Sequence, residues 1–223
     1  MQMERATIDI TTHEGRLITA ATRLAAGRDW QDVALADIAA EAGLTLADLR
    51  AVFASKSEIV GVLMKAIDTD VLAKMKRPDA SQSPRDRLFE VVMARFDALE
   101  PYKSALASIT AGQIPDPKLA AATLASQRWM LEAAGIASDG PGGAIRTAGL
   151  ASVYASVFRV WLADDDPGLA RTMAALDRRL RSGESAMSVV DGLCGTLRRI
   201  TRGFSGAGRG SEPSQPAAGP PAA

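Results

Sequence analysis

The chain has 223 residues, 26 basic and 26 acidic side chains, one histidine (His13) and one cysteine (Cys194). That length buries a full core without covalent staples, a single Cys and a single His exclude disulfide scaffolds and Cys/His zinc sites, and the balanced charge gives the whole chain no pull toward a polyanion. No apolar run approaches the roughly 18 residues of a membrane span, and the opening Met1-Gln2-Met3-Glu4-Arg5 has no apolar signal core, so the expected location is cytoplasmic.

Ala and Leu dominate, β-branched alternation is rare, and apolar residues recur at steps of three or four, which predicts an all-α protein. Thr11-Thr12-His13-Glu14 reads as a capping box opening a helix with Leu17, Ile18, Ala21, Leu24 and Ala25 on one stripe and Gly27 at its end. A second helix, Ala36 to Ala42, stops at Gly43, which can enter the left-handed conformation of a tight reversal. Thr45 caps a third, carrying Leu46, Leu49 and Phe53. It breaks at Ala54-Ser55, and Ser55 to Glu58 reads as a second capping box opening a long helix through Ile59, Leu63 and Ile67.

Lys76 to Ser83 reads as a loop, and Ser83-Pro84 restarts a helix whose buried side holds Phe89, Val92, Met93 and Phe96. Pro101 begins another, and Asp116-Pro117 opens one that carries Leu124, Trp129 and Met130. Gly140-Pro141-Gly142-Gly143 lacks the Lys-Ser/Thr of a phosphate loop and reads as a connector before a long helix ending near Leu162. Asp164-Asp165-Asp166 reads as a solvated loop ending in a helix cap, and Arg178, Arg179 and Arg181 as an exposed helix face. Across 184–204, Met187, Val190, Leu193, Leu197, Ile200 and Phe204 define an amphipathic helix with Arg198, Arg199 and Arg202 off the apolar line. Three burials are open to it, in this order: its own domain, a twofold-related copy, or a bilayer interface. Cys194 lies on an apolar face there, and 205–223 has the composition of a disordered tail.

No motif for acyl, phosphoryl or hydride transfer is present, and His13 sits in a first helical turn with no nucleophile or metal motif beside it, so the chain is read as neither an enzyme nor a holder of metal or cofactor. Two short helices around a glycine-centred turn, within a three-helix unit, instead form the arrangement that lays one helix in a DNA major groove. The segment Leu35-Ala36-Asp37-Ile38-Ala39-Ala40-Glu41-Ala42-Gly43-Leu44-Thr45, followed by Leu49, Phe53 and Ser55-Lys56-Ser57-Glu58-Ile59, resembles the N-terminal domain of the TetR family of transcriptional regulators over roughly residues 10–60. The resemblance implies a homodimeric repressor of a double-stranded DNA operator. It divides the chain into a helix-turn-helix domain over 1–60, an effector-binding and dimerisation domain over 61–204, and the tail over 205–223.

On that resemblance the DNA contacts are Thr45, Leu46, Ala47, Arg50, Ala51 and Lys56, with Thr45 and Lys56 at positions that hold phosphates. Ala47 replaces the family's usual Gly, Asp48 its hydroxyl residue and Arg50 its Tyr. Leu46, Ala47 and Ala51 offer only apolar contact, leaving Arg50 as the candidate for a bidentate guanine contact or a phosphate clamp. Residues 1–65 hold seven basic side chains against nine acidic ones, so weak DNA binding for the class is expected.

Phe89, Met93, Phe96, Trp129, Met130, Tyr154, Phe158 and Trp161 are the candidates to line a cavity for a small apolar effector, with ordinary core packing as the alternative for each. A second resemblance runs through Gly149 to Tyr154, Trp161 to Gly168 and Met173 to Leu180. This stretch is similar to the C-terminal part of the TetR-fold accessory proteins of ubiquinone biosynthesis. It implies an alternative function: isoprenoid-lipid binding without DNA, with peripheral membrane contact through the 184–204 helix. Eight Arg against three acidic residues over 169–210 suit anionic headgroups or an acidic neighbour.

Overall fold

In the computed structural model, which describes residues 8–75, 81–111 and 116–182, Thr12 rather than Thr11 opens the first helix, α1 (His13–Gly27). The Thr11 amide and hydroxyl both donate to the Asp9 carboxylate, at 2.9 and 2.7 Å, and so are lost to the helix. The Thr12 hydroxyl takes over, accepting from the Gly15 N–H at 3.0 Å and donating to the Asp9 carbonyl at 2.8 Å. A Cβ at Gly15 would lie 2.0 Å from that carbonyl oxygen, so this turn closes only against a glycine. Leu17, Ile18, Ala21 and Ala25 are buried as their spacing predicts, with Leu24 half-buried.

A single 3-10 turn, Trp30–Asp32, precedes α2 (Leu35–Glu41); Gly43, at φ 64°, makes the reversal into α3 (Leu46–Val52). Next is α4 (Lys56–Lys74), capped by Ser55, whose hydroxyl accepts from the Glu58 N–H at 3.2 Å. The second half of the expected box differs: the Glu58 carboxylate takes the Ala54 N–H, at 2.6 Å, not that of Ser55. The helix runs unbroken across the expected domain boundary at residue 60. Ile59, Leu63 and Ile67 are buried along it.

The remaining helices are α5 (Pro84–Leu99), α6 (Lys103–Ala111), α7 (Pro117–Ala133), α8 (Gly140–Leu162) and α9, which covers 170–182. Ser83 and Asp116 cap α5 and α7, accepting from the Asp86 and Lys118 amides at 3.1 and 2.8 Å. Pro101 does not begin α6. It sits in a 3-10 turn, Glu100–Tyr102, because a proline there cannot extend the hydrogen-bond ladder of α5. Two further expectations are corrected. Gly140 to Gly143 is the first turn of α8 and not a connector, with Pro141 where a missing N–H costs nothing. A Cβ at Gly143 would fall 2.0 Å from the Ser138 carbonyl oxygen, so that glycine admits the preceding loop to the helix flank.

Asp164, expected in solvent, is 1% exposed. One carboxylate oxygen accepts from the Thr172 amide at 2.8 Å and from its hydroxyl at 2.7 Å, docking α9 on the end of α8. Asp165 and Asp166 are exposed as expected, as are Arg178, Arg179 and Arg181. The Thr172 hydroxyl bond, opposed by burial and aided by the Thr172 amide, holds the Asp164 carboxyl below its ordinary value. The stability it contributes is therefore complete above the unfolded value near 3.9 and lost as pH falls through the folded one. Thermal melts between pH 7 and pH 3 are expected to show the advantage of the native protein over Asp164→Asn shrinking at the acid end; a constant advantage would refute the assignment.

Helix α1 packs on α2 and α6, α4 on α5 and α7, and α7 on α8. Ser108 of α6 binds both sides of the 28–30 turn, accepting from the Trp30 N–H at 3.0 Å and donating to the Arg28 carbonyl at 3.0 Å. Among the described residues there is no strand, and no helix is long and apolar enough to cross a membrane. The helix expected over 184–204, Cys194 and the tail over 205–223 lie outside the described residues.

Candidate functional site

The α2–α3 turn is built from both sides. Arg16, on α1, donates to the Ala42 and Gly43 carbonyls, which as the open C-terminal end of α2 need donors and favour a cation. Leu49 of α3 and Phe53, the residue that ends it, are buried in the core. That burial leaves Thr45, Leu46, Ala47, Arg50 and Ala51 exposed together, with Leu46 at 53%. Arg50 has no hydrogen-bond or ion-pair partner among the described residues.

Thr45 and Asp48 close a reciprocal cap. The Thr45 hydroxyl accepts from the Asp48 N–H at 3.1 Å and donates to the Asp48 carboxylate at 2.6 Å, which also takes the Thr45 N–H at 2.9 Å. The Thr45 hydroxyl first, then its amide, hold the Asp48 carboxyl below its usual range. The acid thus supplies from within the chain the negative charge that a helix N-terminus otherwise takes from an anion.

Lys56 is engaged elsewhere. Its ammonium donates to the Trp30 and Val33 carbonyls, at 2.6 and 2.8 Å, and lies 4.7 Å from the centroid of the Trp30 ring. Burial pulls it below the ordinary lysine value. Two of its three donors are committed, so it binds α4 to the 30–33 turn and retains one N–H for another acceptor. Arg23 and Arg28 pair with Glu41 and Asp37, at 2.8 and 2.7 Å, so that among the described residues of this domain Arg50 is the exposed arginine on α3 itself.

The eight candidate effector residues do not meet in one cavity among the described residues. Phe96 stacks on Tyr154 with ring centroids 5.1 Å apart, and Phe158 and Trp161 extend the cluster. Phe96, Met130 and Trp161 are fully buried and Tyr154 nearly so, which makes them core. Phe89 and Met93 face an open groove of about 370 Å³ that Leu169 and Met173 also line. Trp129 stands 58% exposed at another, of about 580 Å³, between α4 and α7.

Sequence reasoning missed the walls of that second groove, which include Val62, Leu72 and Leu119 with Asp68 and Ser126 as its inner polar groups. The one available signal was the pair of small residues Ala122 and Ala125, three apart and so on one face of the helix, whose short side chains leave space beside α4. Behind Asp68 lies an arginine that is 3% exposed: Arg95 donates Nε to the Asp68 carboxylate at 2.6 Å and Nη1 to the Tyr154 hydroxyl, and its guanidinium lies 4.8 Å from the Tyr154 ring centroid. Burial pushes the Tyr154 phenol up from its ordinary value, against the pull of Arg95.

No protein-family model matches the chain, and no curated protein matches it. Among solved structures it is similar to a TetR transcriptional regulator from Nitrosomonas europaea, at 21% identity and TM-score 0.60, covering 77% of this chain and 97% of that one. It is also similar to a TetR transcriptional regulator from a Rhodococcus species, at 20% identity and TM-score 0.58, covering 74% and 92%. A third, a TetR-family regulator from Streptomyces coelicolor, has 16% identity and TM-score 0.53 over 84% and 90%. The fold is that of the TetR regulators. Within this TetR fold α4 serves both candidate sites: its first residue holds the 30–33 turn beneath α2, and its residues from Gly61 to Leu72 wall the groove.

Proposed function

We propose that the protein is a cytoplasmic DNA-binding transcriptional regulator, a homodimeric repressor whose grip on its operator is released by a small apolar effector. The observation that carries this reading is the α3 face, where Thr45, Leu46, Ala47, Arg50 and Ala51 project into solvent while Leu49 and Phe53 anchor the helix from behind. The solved structures of the same fold are named as transcriptional regulators, which supports it. Residues 1–60 form the DNA-binding domain and 61–204 the effector and dimer domain, with α4 common to both. An effector in the α4–α7 groove acts on DNA affinity only if it favours one placement of α4, and so one spacing of the two α3 helices, over another.

Arg50 is the test. Against a duplex selected by the native protein from a random pool, Arg50→Ala is expected to lose about 1–3 kcal/mol of binding free energy in a low-salt gel-shift titration. Failure of the native protein to select any duplex, or equal affinity of the variant, would count against the regulator.

A further inference from the structure

The α4–α7 groove has an apolar wall, to which Val62, Leu72, Leu119 and Trp129 contribute, and two inner polar groups with different needs. Ser126 is 4% exposed, and its hydroxyl is buried without a hydrogen-bond partner. A buried hydroxyl left unpaired is unfavourable, and because Ser126 lines the groove, a turn of its short side chain toward a molecule there supplies the missing partner. Asp68 also lines the groove, but its charge is already met by Arg95 at 2.6 Å. The inner end is therefore polar and electrically neutral.

An ammonium placed there would lie close to Arg95 and a carboxylate close to Asp68, each stripped of water beside a like charge. A neutral hydroxyl escapes both costs, since it can accept from Ser126 and donate to a carboxylate. Trp129, exposed at the rim, adds a flat aromatic surface for the hydrocarbon part. About 580 Å³ falls within the range of small-molecule sites. Lys65, Lys118 and Glu58 also line the groove, but as exposed side chains in water.

We infer that this groove binds a neutral, largely apolar molecule carrying a hydroxyl group, of which a short alkylphenol is the simplest representative. The inference rests on the effector site proposed above and names the chemistry that enters it. The full-length protein is titrated with 4-propylphenol, 4-propylbenzoate, protonated 4-propylbenzylamine and propylbenzene, following tryptophan fluorescence, with Trp129→Phe identifying the signal. The phenol is expected to bind saturably and about tenfold more tightly than the acid or the amine. Ser126→Ala, which places a good helix former on α7, is expected to weaken the phenol about fivefold and leave propylbenzene unchanged.

Tighter binding of the acid, held at the rim by Lys65 and Lys118, would overturn the inference. So would tighter binding of the amine, equal binding of phenol and propylbenzene, or an equal effect of Ser126→Ala on both. The comparison of the four compounds on the native protein needs no variant. These titrations contain no DNA, so phenol binding by a protein that selects no duplex would remove the regulator and keep the site, whereas duplex selection without phenol binding would do the reverse.

Discussion

Replacing Arg95 by Met is expected to destabilise the protein by about 3–5 kcal/mol, lowering Tm by roughly 6–20 °C. The substitution keeps most of the hydrocarbon stem but strands the Asp68 carboxylate, nine-tenths buried, and removes the donor to the Tyr154 hydroxyl. A carboxylate left charged in that position lacks both water and counter-ion; protonating it costs free energy at neutral pH. The pair itself adds far less than its rupture removes, because both ions were desolvated to form it. Arg95→Met combined with Asp68→Leu is therefore expected to recover most of the loss. Denaturant titration of the two variants measures both effects; a double variant no better than Arg95→Met would show that the cost lies in packing and not in the stranded charge.

Phe53→Ala is the second large effect, at about 3–5 kcal/mol. Phe53 is 2% exposed and closes the C-terminal end of α3, where its N–H bonds the Leu49 carbonyl at 2.8 Å. Removing the ring leaves a cavity behind the helix whose outer face carries Arg50, and three short helices have little freedom to collapse into it. Ala51→Ser, on the exposed side of the same helix, is expected to change stability by less than about 0.5 kcal/mol. Urea unfolding of the pair separates the two faces of α3; comparable losses would mean that the helix is not seated as described.

Most helix starts were legible in the sequence because capping is local chemistry: Thr45, Ser55, Ser83 and Asp116 all cap where their spacing predicts, and Gly43 adopts the left-handed turn. The misplacements have separate causes. Asp9, two residues back, captures Thr11 and shifts the first cap by one residue, and Pro101 cannot extend the ladder of α5. The 140–143 run, whose glycines signal a break, is the first turn of α8 because Gly143 leaves room for the Ser138 carbonyl. The candidate cavity suffered from a different ambiguity, since aromatic residues suit a core and a ligand site equally well. Packing decided it for Phe96, Met130, Tyr154 and Trp161. Asp68 and Arg95, 27 residues apart, carry no mark in the sequence that would pair them, so the polar end of the α4–α7 groove was invisible until the helices were assembled.

Asp48 would bear on target search in a protein of the proposed function. In the proposed regulator, a carboxylate sits at the front of the helix meant to approach the duplex, and loose attachment to unrelated DNA depends almost wholly on neutralising phosphates. Such a protein is shed quickly from the vast excess of chromosomal sequence. In the proposed dimer, residence at a true target would then rest on the fit of Leu46 and Arg50 in two half-sites at once, so that a slight change in the separation of the two subunits would suffice to vacate it.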